Sequence, residues 1–372
     1  MKSKFIIGLI ALGAGFFATA QEVRDPEVKE RPAQVSLVFP IGTNGLDAGN
    51  YINNASFNLF AGYAYGVKGA ELAGFANVLQ ADVVGFQGAG FANVVGGNIE
   101  GFQSAGFVNT TRGNVKGAQG AGFGNVLGGH VEGAQGAGFF NVALGSITGA
   151  QLTGGVNFAQ GNVKGAQLSG LANYIGGEVT GVQGSALFNY AGTLSGVQIG
   201  LVNFAKEYKK GAAIGLLNFV KGGMNRFEIS YDDIVAINGS YRSGTPFLYT
   251  ILTAGIDPDK DRWTYGVGLG TQYRISQRFF GNVEATTSSL MSLDERLDGT
   301  YLMNRLNVNF GYTLFGNVAL IAGPVLNIYV SHPGDDGEDP FGSIVPDNTL
   351  FDDAGSDWAV NAWVGYRAAI RF

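Results

Sequence analysis

The sequence predicts an all-β fold, an outer-membrane antiparallel β-barrel in which Gly-rich 16-residue repeats supply many of the strands. Three observations carry that expectation. Gly occupies 61 of 372 positions, and motif units recur at a fixed spacing through the middle of the chain. Long segments near the C-terminus alternate between apolar and polar residues. Only 14% of the residues are charged, well below the ~25% usual in soluble globular chains. Beyond the first 20 residues, however, no apolar run approaches the ~18 needed for a membrane helix.

Residues 1–20 read as a secretory signal peptide. Lys2 and Lys4 precede the apolar stretch 5–17, and Ala18-Thr19-Ala20 supplies a small-x-small cleavage pattern. The mature chain then starts at Gln21 with a charged tether, 21–33, followed by N-terminal strands over 34–68. The repeat region spans 69–225 and barrel strands fill 226–372.

Repeat units begin at Gly69, Gly85, Gly101, Gly117, Gly133, Gly149, Gly165 and Gly181, with two shorter units at Gly196 and Gly211. The third position is Gln87, Gln103, Gln119, Gln135, Gln151, Gln167, Gln183 or Gln198, with Glu71 and Ala213 as exceptions. Each unit also carries an Asn near its middle: Asn77, Asn93, Asn109, Asn125, Asn141, Asn157, Asn173, Asn189, Asn203 and Asn218. Helix is excluded, since each of several Gly per unit would cost about 1 kcal/mol relative to Ala. In a strand, parity separates two faces. Odd positions of the fourth unit read Gly117, Gln119, Ala121, Phe123 and Asn125; even positions read Ala118, Gly120, Gly122, Gly124 and Val126. One face thus holds every amide.

Two architectures fit. In a barrel, each unit is one antiparallel strand, apolar toward lipid, with the Gln and Asn residues lining the lumen. In a β-solenoid attached to a smaller C-terminal barrel, each unit is one coil, and equivalent Gln and Asn residues stack as ladders ~4.8 Å apart. The barrel accounts better for the apolar even face; the solenoid accounts better for the identity of Gln and Asn at one register. The barrel is the expectation taken forward, with roughly 18–20 strands if every unit spans.

The C-terminal third alternates over longer stretches. Trp263, Tyr265, Val267, Leu269, Thr271, Tyr273 and Ile275 share one parity, and Leu306, Val308, Phe310, Tyr312 and Leu314 another. Pro324 suggests a bulge or irregular pairing within a further strand. The last segment alternates from Trp358 to the terminal Phe372, which resembles the signal by which outer-membrane barrels are recognised for insertion.

The opening Val35-Ser36-Leu37-Val38-Phe39-Pro40-Ile41-Gly42-Thr43-Asn44-Gly45, the Gly-x-Gln…Gly-Phe-x-Asn array and the late Gly-Val-Gln-Ile-Gly-Leu-Val-Asn variant at 196–203 resemble the surface-repeat proteins of diderm bacteria. The resemblance covers nearly the whole mature chain. It implies an exported, outer-membrane-associated protein and brings no catalytic residues with it.

Other chemistry is thinly represented. A net charge of −6 leaves little to neutralise phosphates, so nucleic acid is not an expected partner. Cys is absent, which removes disulfides, thiolate catalysis and Cys-based metal sites. Of two His, His130 falls on a turn position and His332 begins the acid-rich stretch 331–357, read as a solvated loop rather than a cation site. No nucleophile elbow or metalloprotease motif occurs. The expectation is a non-enzymatic protein without cofactor or metal, with outer-membrane lipid and the barrel-insertion machinery as partners. It is either a channel-like barrel or a surface-displayed repeat protein on a barrel anchor.

Overall fold

The computed structural model describes residues 27–293, 299–333, 339–355 and 358–372. The expected signal peptide and residues 21–26 of the expected tether lie outside the described residues. The chain divides into two units, Met1–Gly196 and Val197–Phe372.

In the first unit the repeats are coils of a parallel β-solenoid and not barrel strands. One coil consists of the seven-residue strand Val115–Ala121, a corner at 122–123, the four-residue strand Gly124–Leu127 and a second corner at 128–130. Each strand pairs in parallel with its equivalents one repeat away. Gln119 lies in register with Gln103 and Gln135, and Asn125 with Asn109 and Asn141. This corrects the large-barrel expectation, and the reason is physical. Antiparallel neighbours set unlike repeat positions opposite each other, whereas parallel coils set like on like, where amides can bond their own kind and rings can stack.

The Gly that opens each unit answers to the same stacking. Gly117 has φ +130°, and a Cβ built on it would lie 2.0 Å from the carbonyl oxygen of Gly101. Both the left-handed backbone and the close approach of adjacent coils require a residue without a side chain.

The parity reading also changes meaning. Gln119, Asn125 and Leu127 point inward, but the odd-numbered Phe123 points out, because the corner at 122–123 interrupts the strand between them. The interior thus holds two amide rows and two aliphatic columns. One column runs through Leu79, Val95, Leu127 and Ile175, the other through Val83, Ile99, Val115 and Val131. Burying each such side chain contributes roughly 1.5–3 kcal/mol.

Coil stacking starts before the first motif match at Gly69. Lys29–Val38 pairs in parallel with Tyr51–Ala64, which pairs with Gly66–Ala73 and Ala76–Leu79. Residues 29–33, read as tether, therefore belong to the outermost strand. Its charges at Lys29, Glu30 and Arg31 and its Pro32 are what an exposed sheet edge carries to discourage further pairing.

The second unit opens with two shorter coils, Val197–Ile199 with Val202–Tyr208 and Ala212–Ile214 with Leu217–Val220. Gln198 and Asn203 are both fully buried although only five positions apart, because the first strand of that coil is trimmed after Gln198. Eight antiparallel strands follow and close into a barrel: Met224–Asp232, Ile237–Gly244, Tyr249–Asp257, Arg262–Arg274, Phe279–Ser292, Thr300–Phe315, Val318–His332 and Ala359–Arg371. Closure is by pairing of the last with the first, Ile370 opposite Ile229. Phe351–Ala354 adds a short strand on the last one. The strand number is thus eight, not 18–20, because the repeats do not contribute. Pro324 pairs in register with Tyr366 on one side, while on the other the ladder is interrupted at Gly323 and Pro324 between Asn307↔Val325 and Phe310↔Ala322, the irregular pairing expected there; a separate register shift lies between Thr313 and Phe315.

Polarity in this barrel is the inverse of a water-soluble domain. Ile229, Tyr231, Val267, Leu269, Phe310, Val364, Tyr366 and Ile370 face outward and are exposed, while Glu228, Ser230, Arg242, Glu284, Asn307 and Arg367 face inward and are buried.

Candidate functional site

The sequence-predicted residues assemble into two oriented ladders inside the solenoid. In the Gln row each amide donates toward the N-terminus: Gln103 Nε2 to Gln87 Oε1 at 2.7 Å, Gln119 to Gln103 at 2.7 Å, Gln135 to Gln119 at 2.8 Å, Gln151 to Gln135 at 2.8 Å, Gln167 to Gln151 at 2.9 Å and Gln183 to Gln167 at 3.1 Å. The Asn row donates the other way. Asn77 bonds Asn93 at 3.0 Å, and the chain continues through Asn109, Asn125, Asn141, Asn157, Asn173 and Asn189 at 2.8–3.0 Å. The second hydrogen of each Asn amide goes to a backbone carbonyl of the next coil, such as Gly120 O from Asn109 at 2.7 Å. A buried amide left unpaired costs about 1–3 kcal/mol, so both rows depend on the neighbouring coil repeating the same residue.

The Gln row ends on a carboxylate. Gln87 Nε2 donates to Glu71 Oε2 at 2.8 Å, and Asn58 Nδ2 donates to Glu71 Oε1 at 3.2 Å. Donors converge on position 71 from both sides; both oxygens of a carboxyl group can accept there, whereas Gln would turn its NH2 toward one of the donors. Burial pushes the Glu71 carboxyl up to about 7, against the downward pull of its bonds from Gln87, Ser56 and Asn58. Beyond it, Asn58 Oδ1 accepts from Ser36 Oγ at 2.5 Å and Gln34 Nε2 at 3.3 Å, and Gln34 Oε1 accepts from Asn44 at 2.8 Å and Asn53 at 3.0 Å. This polar cluster closes the N-terminal end.

A third ladder runs along an exposed corner and was not anticipated. The side chain at each turn position accepts the backbone N–H of its successor: Asn98 Oδ1 from Asn114 N at 2.8 Å, Asn114 Oδ1 from His130 N at 2.8 Å, His130 Nδ1 from Ser146 N at 2.9 Å. Asp, Asn, His and Ser share an acceptor near the backbone, which is the signal in the sequence that could have revealed it. The opposite corner exposes a column of rings. Phe75, Phe91, Phe107, Phe123 and Phe139 stack with centroids 4.7–5.4 Å apart.

The barrel interior is filled by charge. Arg242 grips Glu284 through two bonds of 2.8 Å and reaches Glu228 at 3.0 Å. Arg371 Nε donates to Glu228 at 2.8 Å, Arg367 also pairs with Glu228, and Tyr249 OH donates to Glu284 at 2.8 Å. All six side chains are buried. The void beside them is about 30 Å³, room for about one water molecule. At the barrel end where the chain enters, a cavity of about 550 Å³ is lined by Arg226, Arg274, Arg278 and Arg371 and by no acidic residue.

Among the described residues, no three His, Cys, Asp or Glu side chains come together to hold a metal. Asp335, Asp336, Glu338 and Asp357 of the acid-rich stretch lie outside the described residues. Asp339 accepts from Tyr329 OH at 2.8 Å and Phe341 N at 2.9 Å, and Asp352 accepts from Asn361 at 2.9 Å. Phe372 lies on the outer face, its N–H donating to Phe227 O at 2.8 Å. Comparisons with protein families, with curated proteins and with solved structures return no match to this chain.

Proposed function

We propose that the protein is a non-enzymatic outer-membrane repeat protein, its barrel a plugged anchor and its solenoid the part that meets a partner. The inverted polarity of the eight-stranded barrel carries this reading. Apolar side chains on the outside and a cluster of paired charges within are stable in lipid and unfavourable as a free surface in water. Strands such as Phe279–Ser292 and Thr300–Phe315 are long enough, at 14 and 16 residues, to cross a tilted apolar band of about 25 Å. The partners are then outer-membrane lipid and the insertion machinery, with Phe372 presented on the lipid face at the end of the last strand. The family resemblance, which implies an exported, outer-membrane-associated protein, is in keeping with the anchor reading.

The channel reading lacks a comparable support. The Gln and Asn rows bond to one another inside coils, and the barrel interior is closed by the Glu228, Arg242, Glu284, Arg367 and Arg371 cluster. Purified protein reconstituted in planar bilayers is expected to insert without steady ion conductance. A stable conductance would overturn the plugged-anchor reading in favour of a channel.

A further inference from the structure

The two ends of the barrel are unequal, and the chain enters at a particular one. At one end the strands are joined by 245–248, 275–278 and 316–317. At the other the connections are 233–236, 258–261, 293–299 and 333–358, so the two long ones share that end. The first barrel strand starts at the short-turn end and the last finishes there, as an even number of antiparallel strands requires.

The preceding coil is docked on that same end. Thr245 Oγ1 donates to Gly211 O at 3.0 Å, Thr250 Oγ1 to Gly215 O at 2.7 Å, and Asn218 N to Ser243 Oγ at 3.2 Å. Asn218, last of the Asn positions, also donates through Nδ2 to Ser243 O at 3.2 Å. The final coil thus hands its amide to the barrel rim in place of another coil.

From this asymmetry we infer that the solenoid lies on the periplasmic side of the outer membrane, and that the long connections 293–299 and 333–358 face the exterior. The inference rests on the membrane-anchor reading above and deepens it. Outer-membrane barrels keep short turns in the periplasm and long loops outside. The chain enters the barrel at Met224 through the short-turn end, and among the described residues before it no helix is long and apolar enough to cross a membrane. A partner of the solenoid is therefore a periplasmic component, not a molecule in the medium.

The absence of native Cys allows a direct test. Single variants at exposed sites would be Glu132→Cys on a coil, Gln277→Cys on a short turn and Asp347→Cys on the longest connection. A bulky membrane-impermeant maleimide is added to intact cells, and then to cells with a permeabilised outer membrane. Labelling after denaturation confirms that each thiol is present, and fractionation confirms that each variant is in the membrane. The expected result is Asp347→Cys modified in intact cells, with Glu132→Cys and Gln277→Cys modified only after permeabilisation. Modification of Glu132→Cys in intact cells, or protection of Asp347→Cys there, overturns the orientation. Recovery of the protein in the soluble fraction instead overturns the anchor reading on which it rests.

Discussion

At the scale of single residues, Glu71 shows how an exception in a repeat can be its terminus. The Gln row needs an acceptor at its N-terminal end that also receives Asn58, and Glu supplies one at the cost of a buried carboxyl. With its folded value near 7 against an ordinary value of 4.5, the folded state holds a proton that the unfolded state releases. The contribution to stability is complete below about pH 4.5 and is lost as pH rises through 7, a swing of about 3 kcal/mol at most. Thermal midpoints in detergent should therefore fall between pH 5 and pH 8 for the native chain. In Glu71→Gln that dependence should largely disappear. Equal slopes for the two proteins would show that Glu71 is not buried as described.

At the scale of the coil, backbone geometry separates glycines that look alike in the sequence. Gly117→Ala places a Cβ against the Gly101 carbonyl in a left-handed backbone, whereas Gly120→Ala meets nothing within 4 Å. The first should destabilise the solenoid by roughly 2–4 kcal/mol, the second by less than about 0.5 kcal/mol, measured as shifts in denaturant midpoint. The reading from sequence found the period, the rows of Gln and Asn and the alternating C-terminal strands. It carried the coil only as the alternative to the large barrel, because parity alone does not say whether a segment bends halfway. Phe123 shares the parity of Gln119 and Asn125, yet the corner turns it outward. The recurrence of Gln at one register was the better guide, since antiparallel strands would not oppose Gln to Gln. Within the barrel, the alternation of the last segment puts Arg367 and Arg371 on the parity opposite Tyr366, Ile370 and Phe372, the polar face. Their partners Glu228 and Glu284 lie 139 and 87 positions away along the chain, in strands that only the closed sheet brings together.

At the scale of the molecule, the two units are stabilised in different ways. The barrel relies on charge pairs enclosed by a closed sheet, where losing one partner would leave the other buried and unpaired. The solenoid relies on repetition, each coil supplying the acceptors that the next requires. Removal of 117–132 should therefore leave a folded protein, because Gln135 can bond Gln103 and Asn109 can bond Asn141 as their former neighbours did. Circular dichroism of that deletion should retain the β signature, with a thermal midpoint within several degrees of the parent. Removal of 51–66, which carries Asn58, should unfold the N-terminal coils, since no other segment can close the row at Glu71.

The interchangeability of the coils leaves their order underdetermined. A strand that settles one coil out of place finds the same amides and the same opening Gly waiting, so the amide rows alone do not tell a correct threading from a slipped one. That information resides at the margins: in the carboxylate at Glu71 with its polar cluster, and in Asn218 against Ser243. The two ends then act as the address labels of an otherwise repetitive stack.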